Sequence, residues 1–141
     1  MALTDPDAPT DTATTNAALL QRGYVAFARG DIPTVLELFA ETITWHVPGR
    51  RPLSGDFTGH AGVLEFFDRC RRFSEGTLQV VPQQILASED RVVVLCTVAA
   101  QRAGRDFSSP EVHVWRFVDG LAVEFVEYQG DQEAEDEFWT V

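Results

Sequence analysis

The sequence predicts a single α+β domain in which three helices cover one face of a curved antiparallel sheet. Apolar residues recur at helical spacing through the first half of the chain, and four β-rich runs joined by short polar turns fill the second. At 141 residues the chain is long enough to bury a core without covalent staples.

Residues 1–15, rich in Thr, Asp, Pro and Ala, offer almost nothing to bury and read as disordered, leaving 16–141 as the domain. From Asn16 onward, Leu20, Tyr24 and Phe27 share one helical face, which Gly30 closes as a left-handed cap. Asp31 caps a second helix, with Pro33 in its first turn and Val35, Leu36, Leu38 and Phe39 along it. A short strand, ITWHV, stops at Pro48. Alternation turns Ile43, Trp45 and Val47 inward and leaves His46 outside as a structural or interfacial residue. PGRRPLSGDF is too rich in Pro and Gly to be regular, and its Arg50 and Arg51 read as ordinary surface loop rather than as cover for a pocket mouth. A third helix resumes near Thr58 with Val63, Phe66, Phe67, Cys70 and Phe73 on one stripe. His60 at its start reads as a capping or surface residue, and Arg69, Arg71 and Arg72 near its end complement the helix dipole. The strands follow as TLQVVPQQILA, RVVVLCTVAAQ, EVHVWRFV and LAVEFVEYQ, with turns at Ser88-Glu89-Asp90, Ala103-Gly104-Arg105 and Asp119-Gly120. The closing DQEAEDEF is acidic on all sides and reads as a solvated last turn or frayed tail.

Charge and composition restrict the partners. A net charge of −11 argues against nucleic acid and anionic membrane surfaces, whose phosphates would repel the chain. No run reaches the roughly 20 apolar residues of a membrane span. The N-terminus lacks the basic and apolar regions of a secretory signal, so a cytoplasmic location is expected. Cys70 and Cys96 show no CxxC or framework spacing and read as buried free thiols. Three histidines without HxH or HxxxH spacing give little support for a metal, and no cofactor is expected. The expected partners are a hydrophobic small molecule and a second copy of the chain.

The hairpin EVHVWRFVDGLAVEFVEY carries the candidate chemistry. A three-residue loop, Val118-Asp119-Gly120, sets His113 opposite Phe125 and gathers His113, Trp115, Phe117, Leu121, Val123, Phe125 and Glu127 on one face. The other face then brings Arg116 near Glu124. A strict two-residue loop would instead separate His113 from Glu127. In the preferred register both share an apolar concavity, where a carboxylate is poorly solvated and imidazole is already poised to titrate.

The order of elements and the segments FAETITWHVPG, GDFTGHAGVLEFF and WRFVDGLAVEFVEY resemble the nuclear transport factor 2-like superfamily over about residues 16–131. The nearest likeness is to its SnoaL-like polyketide cyclases and ketosteroid isomerase relatives. The resemblance implies a cone with a ligand pocket between sheet and helices. It further implies cofactor-independent acid/base chemistry on a hydrophobic, carbonyl-bearing molecule such as a polyketide, with proton abstraction leading to cyclisation or isomerisation. Glu127 stands at the acidic position that takes the proton, where the family's usual residue is Asp. His113 stands where a histidine hydrogen-bonds the developing enolate. Tyr24, Trp45, Phe66, Trp115 and Phe125 are expected to form the substrate-binding wall. Val47 and His113 replace the two Asp residues of ketosteroid isomerases, and Ser108 and Pro110 fall where limonene epoxide hydrolases keep an Arg and an Asp, so both of those reactions are disfavoured. The competing expectation is a non-catalytic ligand-binding or dimerisation module. A cavity on the order of several hundred Å3 would favour the enzyme; a pocket packed solid by Trp45, Trp115 and Phe66 would favour the module. A homodimer through the outer face of Val112, Val114 and Val126 is expected.

Overall fold

The structure, a computed structural model, describes residues 10–140. Helix α1 (Asp11–Ala28) begins five residues before the expected start, because Thr10 Oγ1 accepts the Ala13 N–H at 3.0 Å and Asp11 sits in the first turn. The disordered segment expected over 1–15 is therefore helical from Asp11, and residues 1–9 lie outside the described residues. Gly30 adopts φ 74°, and Asp31 caps the short α2 (Ile32–Glu37). Leu38 and Phe39, expected on that helix, are its C-cap and the first residue of strand β1 (Phe39–Val47).

Strand β1 buries Ile43, Trp45 and Val47 and exposes His46, as alternation requires. His46 Nδ1 meets Asp56 Oδ1 at 2.5 Å on strand β2 (Gly55–Thr58), a short edge strand in the segment that composition marked as irregular. Helix α3 (Gly59–Phe73) lays Val63, Phe66 and Cys70 on the core, and His60 Nε2 lies 2.9 Å from the Phe39 carbonyl. Arg71 and Arg72 in its last turn both pair with Asp68.

Strands β3 (Gln79–Ala87), β4 (Arg91–Arg102), β5 (Arg105–Val118) and β6 (Leu121–Gln129) form the expected meander. The six-stranded order is β2-β1-β6-β5-β4-β3, and β1 runs parallel to β6, a departure from the all-antiparallel sheet expected. Trp45 thereby lies beside Phe125, stacked with centroids 3.8 Å apart. The curved sheet and the helices packed on its concave side make the expected α+β architecture.

The β5–β6 hairpin resolves the register by a third route. Asp119 and Gly120 both take positive φ, making a two-residue turn, and Val123 then bulges from β6 so that pairing shifts between Arg116 and Phe117. The shift restores the inward face: His113 sits opposite Glu127, not Phe125, while Arg116 faces Glu124 as expected. Ala122 is buried in place of Leu121 and Val123, because the bulge reverses their side.

The acidic C-terminus is no frayed tail. It forms α4 (Gln132–Thr140), which buries Glu135, Phe138 and Trp139 at one helical spacing. Phe138 stacks on Phe107 at 4.5 Å, and Arg102 Nη1 and Arg105 Nη2 each donate to the Phe138 carbonyl at 3.1 Å. No helix among the described residues is long and apolar enough to cross a membrane.

Candidate functional site

Between α1, α3 and the concave sheet lies a cavity of about 90 Å3 with an almost wholly apolar lining. Tyr24, Trp45, Phe66, Trp115 and Phe125, the five residues expected at the pocket wall, all line it. Phe27, Phe67, Leu78 and Val80, all half-buried, are part of the lining as well. The volume falls short of the several hundred Å3 set as the sign of an enzyme, yet the aromatic box is not packed solid.

Into this box β5 and β6 project a polar cluster. Period-two alternation puts Glu111, His113 and Trp115 on the same inner face, and the bulge sets Glu127 directly across from His113. His113 Nε2 lies 2.9 Å from Glu111 Oε1 and 4.0 Å from Glu127 Oε1. On the other side of the ring, Nδ1 lies 2.7 Å from the Tyr24 hydroxyl, which also accepts the Trp115 indole N–H at 3.1 Å. Imidazole and carboxylate therefore share the hollow, as the sequence suggests.

Arg51, expected on an ordinary surface loop, is instead buried to 6% exposure. Its Nη2 donates to Glu127 Oε2 at 3.1 Å, and Gln129 Nε2 donates to the same oxygen at 2.6 Å. The loop reaches inward because Gly49 takes φ 105° against Asp136, where a β-carbon would collide with the carboxylate, and because Arg51 Nη1 ties back to the Pro48 carbonyl at 3.2 Å. A guanidinium finds enough compensation there only because Glu127 and Asp136 both face it.

Two further carboxyls escaped the sequence reading. Burial, reinforced by the neighbouring Glu127 carboxylate, pushes the Glu111 carboxyl up to about 8. Glu135 from α4 is fully buried, and burial followed by its hydrogen bond with the adjoining Glu111 pushes it up to about 10. Burial likewise holds the Tyr24 hydroxyl well above its ordinary value and keeps the thiol of Cys70, which lines the cavity, protonated. Glu111 was legible, since it precedes His113 by the two residues of strand alternation. Arg51 was not, because a loop carries no periodicity. Sequence spacing gave little support for a metal, but folding brings donor atoms of Glu111, His113 and Glu127 within 4.8 Å of one another.

The model of the SnoaL-like domain matches residues 20–125. The uncharacterised protein Rv0034 of Mycobacterium tuberculosis is 29% identical over 122 residues, which span 86% of this chain and 93% of that protein. Bal32a, from a soil-derived mobile gene cassette, superimposes with a TM-score of 0.88 at 35% identity, covering 92% of this chain and 99% of its own. TerC, solved in a co-crystal with polyporic acid, superimposes with a TM-score of 0.81 at 26% identity over 89% of this chain and 98% of its own. The matched family model spans both helical walls, the Trp45 strand and the hairpin as far as Phe125, so the chain belongs to the SnoaL-like domain family within the nuclear transport factor 2-like superfamily.

Proposed function

We propose that the chain catalyses acid/base chemistry on a small, hydrophobic, carbonyl-bearing molecule, abstracting a proton next to the carbonyl in a cyclisation or isomerisation. The observation that carries this reading is the opposed pair His113 and Glu127 inside one apolar hollow. Arg51 and Gln129 hold one oxygen of Glu127, leaving Oε1 turned toward His113 as the proton acceptor. His113, backed by Tyr24 and by a Glu111 carboxyl that burial keeps largely neutral at pH 7, donates to the developing enolate oxygen. That TerC was co-crystallised with polyporic acid fits a reading in which this fold takes a small organic molecule.

Deuterium incorporation provides the test. Incubated with 1-tetralone in D2O and followed by NMR, the protein is expected to accelerate exchange of the protons next to the carbonyl. Glu127→Gln is expected to lower that rate by about a hundredfold or more while keeping the fold. Equal rates in the two proteins remove Glu127 as the base. The small cavity favours a second reading, a module that binds without reacting. Saturable ligand shifts in the NMR spectrum with no enhanced exchange would identify it.

A further inference from the structure

We infer that Glu111, His113 and Glu127 form a site for one divalent first-row transition ion of the zinc class, entered from the cavity. Their converging donors are Glu111 Oε1, His113 Nε2 and Glu127 Oε1, with imidazole nitrogen 2.9 Å from one oxygen and 4.0 Å from the other. Ligands held about 2.0–2.2 Å from a single ion stand about 3 to 3.5 Å apart, so small side-chain rotations convert the cluster into three ligands. One imidazole and two carboxylates suit such an ion chemically, and the cavity supplies the open fourth position.

The outer contacts are those that metal ligands require. A ligating imidazole gives its second nitrogen to a neighbour. Here Nδ1 lies 2.7 Å from the Tyr24 hydroxyl; with the metal on Nε2, the ring proton sits on Nδ1 and is donated to that oxygen. Glu127 is fixed through its other oxygen by Arg51 and Gln129, which leaves Oε1 available. Glu135 of α4, completely buried, adjoins Glu111 and adds a further carboxyl beside the cluster. The ion claims the lone pairs of Glu127 and His113 that the acid/base reading uses. Loading therefore opposes that chemistry, but the site itself stands whether or not the chain is a catalyst.

The test uses chelator-treated full-length protein and added Co2+, then Zn2+. Wild type is expected to bind one equivalent of Co2+, to show the intense visible absorption of low-coordinate cobalt, to lose it when Zn2+ displaces the probe, and to melt higher with Zn2+. His113→Gln and Glu111→Gln are expected to weaken binding by about a hundredfold or more, and Tyr24→Phe, which keeps the ring, by about ten- to hundredfold. Glu124→Gln on the opposite sheet face is expected to bind as wild type. Where a variant fails to fold, the His113 imidazole resonances of the wild type, followed as Zn2+ is added, decide the matter. Failure of wild type to bind either ion, undiminished binding by the folded His113 and Glu111 variants, or imidazole resonances that do not move each overturns the site. Exchange of 1-tetralone protons by metal-free protein reports separately on the acid/base reading.

Discussion

Arg51 illustrates how a residue invisible to pattern reading can govern a site. Its side chain is 3% exposed and that of Glu127 8%, so neither charge is compensated by water. Arg51→Met leaves Glu127 buried and unpaired and is expected to destabilise the fold by about 3–5 kcal/mol, measured by urea unfolding at pH 7. Removing both charges in Arg51→Met with Glu127→Gln is expected to restore a large part of that loss, since the cost lies in the orphaned ion rather than in the absent pair. A double variant as unstable as the single one would show that Arg51 acts through packing instead. The aromatic wall was readable because Tyr24, Trp45, Phe66, Trp115 and Phe125 obey the periods of their elements. Glu111 obeys the same period as His113. Arg51 enters from a loop whose Pro and Gly residues announce irregularity but not direction.

At the scale of elements, legibility follows the range of the contacts that stabilise each one. Caps, polar turns and two-residue alternation are local, so α1, α3 and the four long strands could be placed from sequence, though α1 begins earlier than composition suggests. The parallel pairing of β1 with β6 joins residues at least 80 positions apart and leaves no local trace. The bulge at Val123 and the two-residue turn at Asp119-Gly120 compensate each other, so reading the turn alone gives the wrong partner for His113. Helix α4 was hidden by its own composition, because one of its three buried positions is the acidic Glu135. That burial yields a pH prediction. Glu135 and Glu111 have folded values of about 10 and about 8 against 4.5 in the ordinary case, so the fold retains protons that the unfolded chain has released. Their contribution is intact below about pH 4.5 and is lost as pH climbs through about 8 for Glu111 and about 10 for Glu135. In chelator, urea stability is expected to fall between about pH 6 and about pH 9, and Glu135→Gln to flatten that decline. A decline of unchanged slope in the variant would assign it to other groups.

At the scale of the molecule, none of the described elements covers the outer sheet face. Leu95, Val112 and Tyr128 form one row across β4, β5 and β6, and Val93, Val114 and Val126 form the next. Leu95 and Tyr128 are 37% and 56% exposed, and the valines are half-buried, so two adjacent apolar rows meet solvent. An uncovered β face of this kind marks an association surface. We propose that two copies pack these faces together, as the valine pattern of the sequence suggests. A face used by the same residues on both partners makes each substitution count twice across the two-fold axis. Val114→Glu therefore places two carboxylates at the centre of one apolar interface. Light scattering after gel filtration is expected to give twice the chain mass for wild type and the single chain mass for Val114→Glu, while Thr34→Glu, on α2 and away from the sheet, leaves the dimer intact. Because the inner and outer faces alternate along β5, the monomeric variant is expected to keep the His113–Glu111 contact and the cavity. A wild-type chain that elutes as a monomer at high concentration would instead assign the two apolar rows to solvent-exposed sheet.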